Sequence, residues 1–139
     1  IHLRDSGLLP SGEKIIDLVK KYKNNNWLGV IMACISPTAY EAVFKDLKLL
    51  DIPYGFKLNA FKKIPEGYTV ASKDQWGNAG NPNTVLGVNT DLNESVFYEY
   101  AKKFMENGAT IIGGCCEIRP SHIKEISKLK FIDTSSPKN

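Results

Sequence analysis

Apolar and polar positions alternate with two different periods along this chain. Ile15, Leu18, Val19 and Tyr22 recur at i, i+3, i+4 and i+7, which predicts an amphipathic helix over residues 12–23 with Ser11 as its N-cap and Asn24-Asn25-Asn26 as its stop. LGVIMA, residues 28–33, is a continuous apolar run of strand length that suits a parallel strand buried on both faces, with Cys34 at its C-terminal end. Ser36-Pro37 pairs a cap with a proline and so starts a second helix, whose stripe is Tyr40, Val43, Phe44, Leu47 and Leu50; Asp51-Ile52-Pro53 stops it. Residues 54–59 read as another strand, and residues 1–3 as the tail of one. From 61 to 90 periodicity fades among Pro65, Gly67, Gly77, Gly80, Pro82 and Gly87, the mark of a long loop; Trp76 is its most prominent side chain.

Periodicity returns with Val96, Phe97, Tyr100, Ala101, Phe104 and Met105, a helix with capping-box spacing from Asp91 to Glu94 and Gly108 at its C-terminal end. Thr110, Ile111 and Ile112 form a last strand, Gly113-Gly114 a turn, and a helix follows from Pro120 with Ile123, Ile126 and Leu129 facing inward. The order is strand, helix, strand, helix, strand, long loop, helix, strand, helix. Such alternation predicts a parallel α/β sheet, and four βα units make half of a (β/α)8 barrel of the TIM type. Residues 1–130 are expected to form this unit and 131–139 a Ser/Pro/Lys tail.

The 139 residues suffice for one domain with a core, and 42% hydrophobic with 24% charged residues is a globular balance. A net charge of +3, with KYK and FKK as the densest basic stretches, gives no reason to expect nucleic acid. No apolar run is long enough to span a bilayer, and IHLRDSG has no signal-peptide pattern. The absence of a starting Met, with a chain that opens inside a strand, suggests a fragment. Three cysteines do not make a disulfide framework, so a reducing compartment, the cytoplasm, is the expected location.

Those cysteines are the candidate chemistry. Cys34 and the adjacent pair Cys115-Cys116 each follow a predicted strand, and in α/β folds strand C-terminal ends share one rim. Three thiolates on one rim would hold a zinc ion and leave its fourth position open, the pattern of a catalytic site. Cysteine also serves as a small buried hydrophobe, and spacing alone leaves both readings open. His2 and His122 are poorly placed to add a ligand; His122, in the first turn of the last helix, is expected to act locally.

GGCCEIRPSHI resembles the GGCC…P.HI signature of the homocysteine S-methyltransferase family, and LLPSGE, the strand ending at Cys34, and YGFKLNA before a loop containing NAG fit the same register. The resemblance covers most of the chain and corresponds to the C-terminal half of the family's (β/α)8 barrel. It implies that Cys34, Cys115 and Cys116 bind Zn2+, that the thiol of homocysteine takes the fourth position, and that a small methyl donor then methylates it to methionine. Asn59 and Trp76 are candidate substrate contacts. The family's Asn before the first cysteine is here Ala33. The resemblance also implies that the N-terminal half of the barrel is missing or supplied by another chain. Two alternatives stand beside this one: a non-catalytic zinc-binding half-barrel, and an α/β protein of another class with core cysteines.

Overall fold

The computed structural model describes residues 1–22, 26–65 and 81–129. It is a mixed α/β structure built on a three-stranded parallel sheet in the order β1-β2-β3: β1 Val30–Ile35, β2 Tyr54–Leu58 and β3 Ile111–Gly114. Helix α1, Ile15–Tyr22, precedes β1; α2, Pro37–Ala42, and α3, Phe44–Leu47, connect β1 to β2. Between β2 and β3 come α4, Pro82–Leu86, and α5, Glu94–Glu106; α6, Pro120–Ile126, follows β3. No helix among the described residues is long and apolar enough to cross a membrane.

Local signals account for most of these elements. Ser36 caps α2 by accepting from the Ala39 N–H at 3.1 Å, and Pro37 occupies the first turn, where its missing N–H costs nothing. The expected single helix after Pro37 is broken in two at Val43, whose φ of −105° leaves the helical region. The long helix α5 is capped by Asn93, whose Oδ1 accepts from the Val96 N–H at 3.1 Å, rather than by Asp91. Helix α1 starts at Ile15, and Ser11 instead donates to Glu13 at 2.8 Å. The stretch expected as featureless loop contains α4, started by Asn81 and Pro82, and a bridge from Phe61 to Val88. Residues 1–3 form no strand, yet Ile1 lies along the edge of β1: its carbonyl accepts from the Ala33 N–H at 2.7 Å and its own nitrogen donates to the Ile31 carbonyl at 2.8 Å.

The core lies on one face of the sheet. Tyr40, Phe44, Phe56 and Phe104 pack with ring centroids 4.5 to 5.7 Å apart, joining α2, α3 and α5 to the central strand. Val30, Met32, Phe56 and Leu58 are buried, whereas the alternate positions Ile31, Ala33, Ile111 and Gly113 are half-buried and Lys57 is exposed. The sheet is thus not buried on both faces as the apolar run in β1 suggests: helices cover one face of the described sheet, and a groove lined by Trp27, Leu28, Ile31, Ala33 and Lys57 runs over the other. Three residues expected inward are exposed: Tyr22, which stacks on Trp27 instead, Val96 and Ile123. The tail from 131 lies outside the described residues.

Candidate metal centre

The three strands end at one level and are stitched together there. The Asn59 N–H donates to the Ile35 carbonyl at 2.9 Å, tying the end of β2 to β1. The Cys115 N–H donates to Leu58 at 2.7 Å and the Ala60 N–H to Cys116 at 2.9 Å, carrying the β2–β3 ladder past the last paired strand residues. Gly113 and Gly114 are therefore not a turn; they belong to β3, paired with Lys57 and Leu58.

Neighbouring strands are about 4.8 Å apart, so the backbones of β1 and β3 stand roughly 10 Å apart on either side of β2. Their side chains meet only if both lean over the end of β2. On the β1 side the register slips between Ala33 and Ile35, which pair with the consecutive residues Lys57 and Leu58. Cys34 is the extra residue of this bulge, and its φ of +56° is one a side chain adopts only when the surroundings impose it. On the β3 side Glu117 turns the chain at a φ of +63° immediately after the cysteine pair, and the Ile118 N–H closes the corner on the Cys115 carbonyl at 3.1 Å.

The result is a triad. Cys34 Sγ lies 3.7 Å from Cys116 Sγ, Cys116 Sγ lies 3.9 Å from Cys115 Sγ, and all three sulfurs fall within 4.8 Å of one another although 82 positions separate Cys34 from Cys116. The cysteines are half-buried rather than sunk in the core. A tetrahedral ion with metal–sulfur bonds of about 2.3 Å sets its sulfurs about 3.8 Å apart, so this donor set fits one such ion without rearrangement of the backbone. Burial, reinforced by Cys115 and Cys116, pushes the Cys34 thiol up to about 12, and burial also raises Cys116.

Among the described residues this is the one group of His, Cys, Asp and Glu side chains close enough to hold a metal through three or more ligands. His2 lies in the wall of a neighbouring cavity. His122 is buried in α6, where Nδ1 accepts from the Arg119 N–H at 3.1 Å and Nε2 faces the Leu92 carbonyl at 3.0 Å. With Nδ1 an acceptor, Nε2 carries the proton, and the ring acts as a tie between the start of α6 and the segment before α5.

The homocysteine S-methyltransferase family model matches residues 1–129. The chain belongs to the homocysteine S-methyltransferase family. No curated protein and no solved structure matches it. Within this family member, Asn59 stands beside the triad: it is 2% exposed, its Nδ2 is 3.9 Å from Cys34 Sγ, and its Oδ1 accepts from the Phe61 N–H at 3.2 Å. Trp76, the other candidate contact, and the NAG stretch lie outside the described residues. Ala33, where the resemblance leads one to expect Asn, is held at the edge of β1 by Ile1. The left-handed residues Cys34 and Glu117 carry no signal in the sequence, since both are residue types that seldom adopt that conformation.

Proposed function

We propose that this chain is the zinc-binding part of an enzyme that transfers a methyl group to the thiol of homocysteine, giving methionine. Cys34, Cys115 and Cys116 hold one Zn2+ as thiolates, and the fourth position is left for the acceptor sulfur. The observation that carries this reading is the meeting of three sulfurs at the strand ends, 3.7 and 3.9 Å apart for the pairs through Cys116, in a chain matched to the family along residues 1–129. When bound, zinc keeps a coordinated thiol deprotonated at neutral pH, where a free thiol with a pKa of about 8.5 is mostly protonated.

The chain's own residues supply the setting. The bulge at Cys34 and the corner at Glu117 bring the three sulfurs within 4.8 Å of one another. Asn59, buried and anchored through both its backbone N–H and its Oδ1, turns its amide nitrogen toward Cys34, where an amide donor steadies a thiolate. In this reading Asn59 also faces the acceptor, and Trp76 contacts one of the substrates. No side chain of the triad's surroundings is required as a nucleophile, because the acceptor brings its own sulfur.

Residues 1–130 form, in the same reading, four βα units, the C-terminal half of a (β/α)8 barrel. The edge of β3 that pairs with no other strand among the described residues, and the face of the sheet that the described helices leave uncovered, with Leu28 94% exposed beside it, support a second half that completes the barrel. That half, with part of the donor pocket, comes from an additional segment or another chain. The proposed compartment is the cytoplasm, which keeps the three thiols reduced.

Metal analysis tests the zinc centre. The purified chain is expected to carry about one zinc, bound through three sulfurs at about 2.3 Å by X-ray absorption, with a fourth sulfur appearing when homocysteine is added. Zinc content unchanged by Cys115→Ser would refute the site. Methyl transfer to homocysteine is then measured on the assembly containing both barrel halves, where its absence in a zinc-loaded complex would favour a non-catalytic role.

A further inference from the structure

The sheet face that the described helices leave uncovered carries two rows of residues, fixed by the strand register. Ile31, Gly55 and Ile111 stand side by side in one row, and Ala33, Lys57 and Gly113 in the next row toward the strand ends. Size alternates between the rows. The first sets an isoleucine on each outer strand around a central glycine, and Ile111 closes over that glycine: a methyl group at Gly55 would fall 2.7 Å from Ile111 Cβ. The second row reverses the pattern, with one long side chain on the central strand between two small residues. The interior of a (β/α)8 barrel is filled in this way, each layer taking its four side chains from alternate strands.

The long residue of the second row is a cation. Lys57 is exposed, and its stem lies beside Gly113, where an added methyl group would be 3.6 Å from Lys57 Cγ. Ala33 and Gly113 have no side-chain charge or hydrogen-bonding group to offer it. The groove over this face is otherwise walled by apolar residues, Ile1, Trp27, Leu28 and Ile31 among them, and contains no Asp or Glu. None of the ion pairs among the described residues involves Lys57. While the face is open, water can solvate the ammonium. Once the face is covered that water is lost, and an ammonium taken out of water without a partner is costly. Because β1 and β3 contribute only Ala33 and Gly113 to this row, the compensating group has to come from outside the described sheet.

We propose that the surface closing this face is apolar and brings one Asp or Glu carboxylate to Lys57, forming an ion pair inside the completed barrel. This rests on the reading that a second half covers the sheet; it adds what that half carries and makes Lys57 the residue that decides which half fits. A wholly apolar surface would strand the ammonium, and a cationic one would repel it.

The assembly containing both barrel halves is the material for the test. Acetylation by an N-hydroxysuccinimide ester, read by mass spectrometry, is expected to modify Lys57 roughly tenfold or more slowly in the native assembly than in urea. Lys57→Met keeps the side chain's length and removes its charge. It is expected to lower the folding equilibrium constant of the assembly about a hundredfold or more, because the carboxylate is left buried alone, whereas Lys57→Arg is expected to lower it less than about tenfold. In the Lys57→Met background, neutralising one carboxylate of the second half is expected to restore most of the loss; if Lys57→Met alone does not fold, that double variant is expected to fold. Lys57 acetylated equally fast in the native assembly and in urea means an open face, which overturns the second-half reading together with the proposal. A shielded Lys57 whose replacement by methionine costs nothing or stabilises, or whose loss is restored only by neutralising a carboxylate within residues 1–139, overturns the proposal alone.

Discussion

Gly113 and Gly114 are adjacent, both lie in β3, and they predict opposite responses to the same substitution. A methyl group added at Gly114 would sit 2.3 Å from Ile118 Cγ2 and 2.7 Å from Ile118 Cβ, whereas one added at Gly113 would find nothing nearer than Lys57 Cγ at 3.6 Å. Ordinary contact begins near 3.4 Å, so Gly114→Ala demands a displacement of about 1 Å. The obstructing atoms are at the branch point of Ile118 and cannot swing aside as the end of a long side chain would. Ile118 is bonded through its N–H to the Cys115 carbonyl, so moving it moves the corner that carries the cysteine pair.

Overpacking of this kind costs about 1–3 kcal/mol of stability. Because the displacement falls on the backbone of the proposed ligands, zinc affinity is expected to drop roughly tenfold to a hundredfold, the range seen when support around a metal ligand is lost. Gly113→Ala is expected to stay within about 0.5 kcal/mol of the parent and to keep its affinity. Urea unfolding of the metal-free proteins gives the stability difference, and competition with a chromophoric chelator gives the affinity. Equal behaviour of the two variants would refute the argument, because the two sites share sequence context and differ chiefly in what surrounds them.

Other substitutions probe other parts of the structure. Tyr40 is 1% exposed, and its hydroxyl has no hydrogen-bond partner among the described residues, so Tyr40→Phe is expected to leave stability unchanged or raise it by about 1–2 kcal/mol in urea unfolding. Asn93→Ala is expected to cost about 1 kcal/mol by the same measurement and Asp91→Ala close to nothing, because Asn93 is the cap of α5. His122→Ala removes both of the ring's backbone partners and is expected to cost about 1–3 kcal/mol while leaving zinc content unaltered. Cys34, pushed up to about 12 by burial first and its neighbouring thiols second, must lose its proton to bind a metal. Apparent zinc affinity is therefore expected to rise with pH from neutrality into the alkaline range, with proton release detectable as buffer-dependent heat. For the metal-free chain the sign reverses. The unfolded thiol ionises near 8.5 and the folded one near 12, so the folded state is favoured fully below about 8.5 and loses that advantage as pH rises through about 12. Urea midpoints at pH 7.5 and 10 check it.

Features written in a few consecutive residues were legible in the sequence. Ser36-Pro37 announced α2 because a cap and a proline act on the first turn alone, and the stripe from Phe97 to Phe104 identified α5 because those side chains all face one core. Asn81-Pro82 is the same kind of signal and starts α4, but the glycines and prolines around it masked a helix of five residues. Val96 and Ile123 were misread because an apolar residue at the margin of a helical stripe satisfies the periodicity while facing solvent. The uncovered face of β1 was hidden for a related reason: Ile31 and Ala33 are as apolar as Val30 and Met32, and only the placement of the helices tells the two pairs apart.

The candidate site divides along the same line. That Cys34, Cys115 and Cys116 stand at strand ends follows from local pattern, but that they meet does not, because a parallel sheet places β1 and β3 one strand too far apart for cysteine side chains to touch unaided. The missing distance is closed by two local distortions, the bulge that releases Cys34 from the ladder and the left-handed turn at Glu117. Backbone conformations of this kind cost of order 1–3 kcal/mol each and persist only where the surroundings enforce them. Here the enforcing contacts come from elsewhere in the chain: Ile35 is bonded to Asn59, Cys115 to Leu58, and Cys116 to Ala60. The end of β2 thus acts as a template for both flanking strands. A sequence reading confined to the neighbourhood of each cysteine has no access to that template, which is why the three residues could be named from the sequence while the reason for their convergence lies in β2, between them.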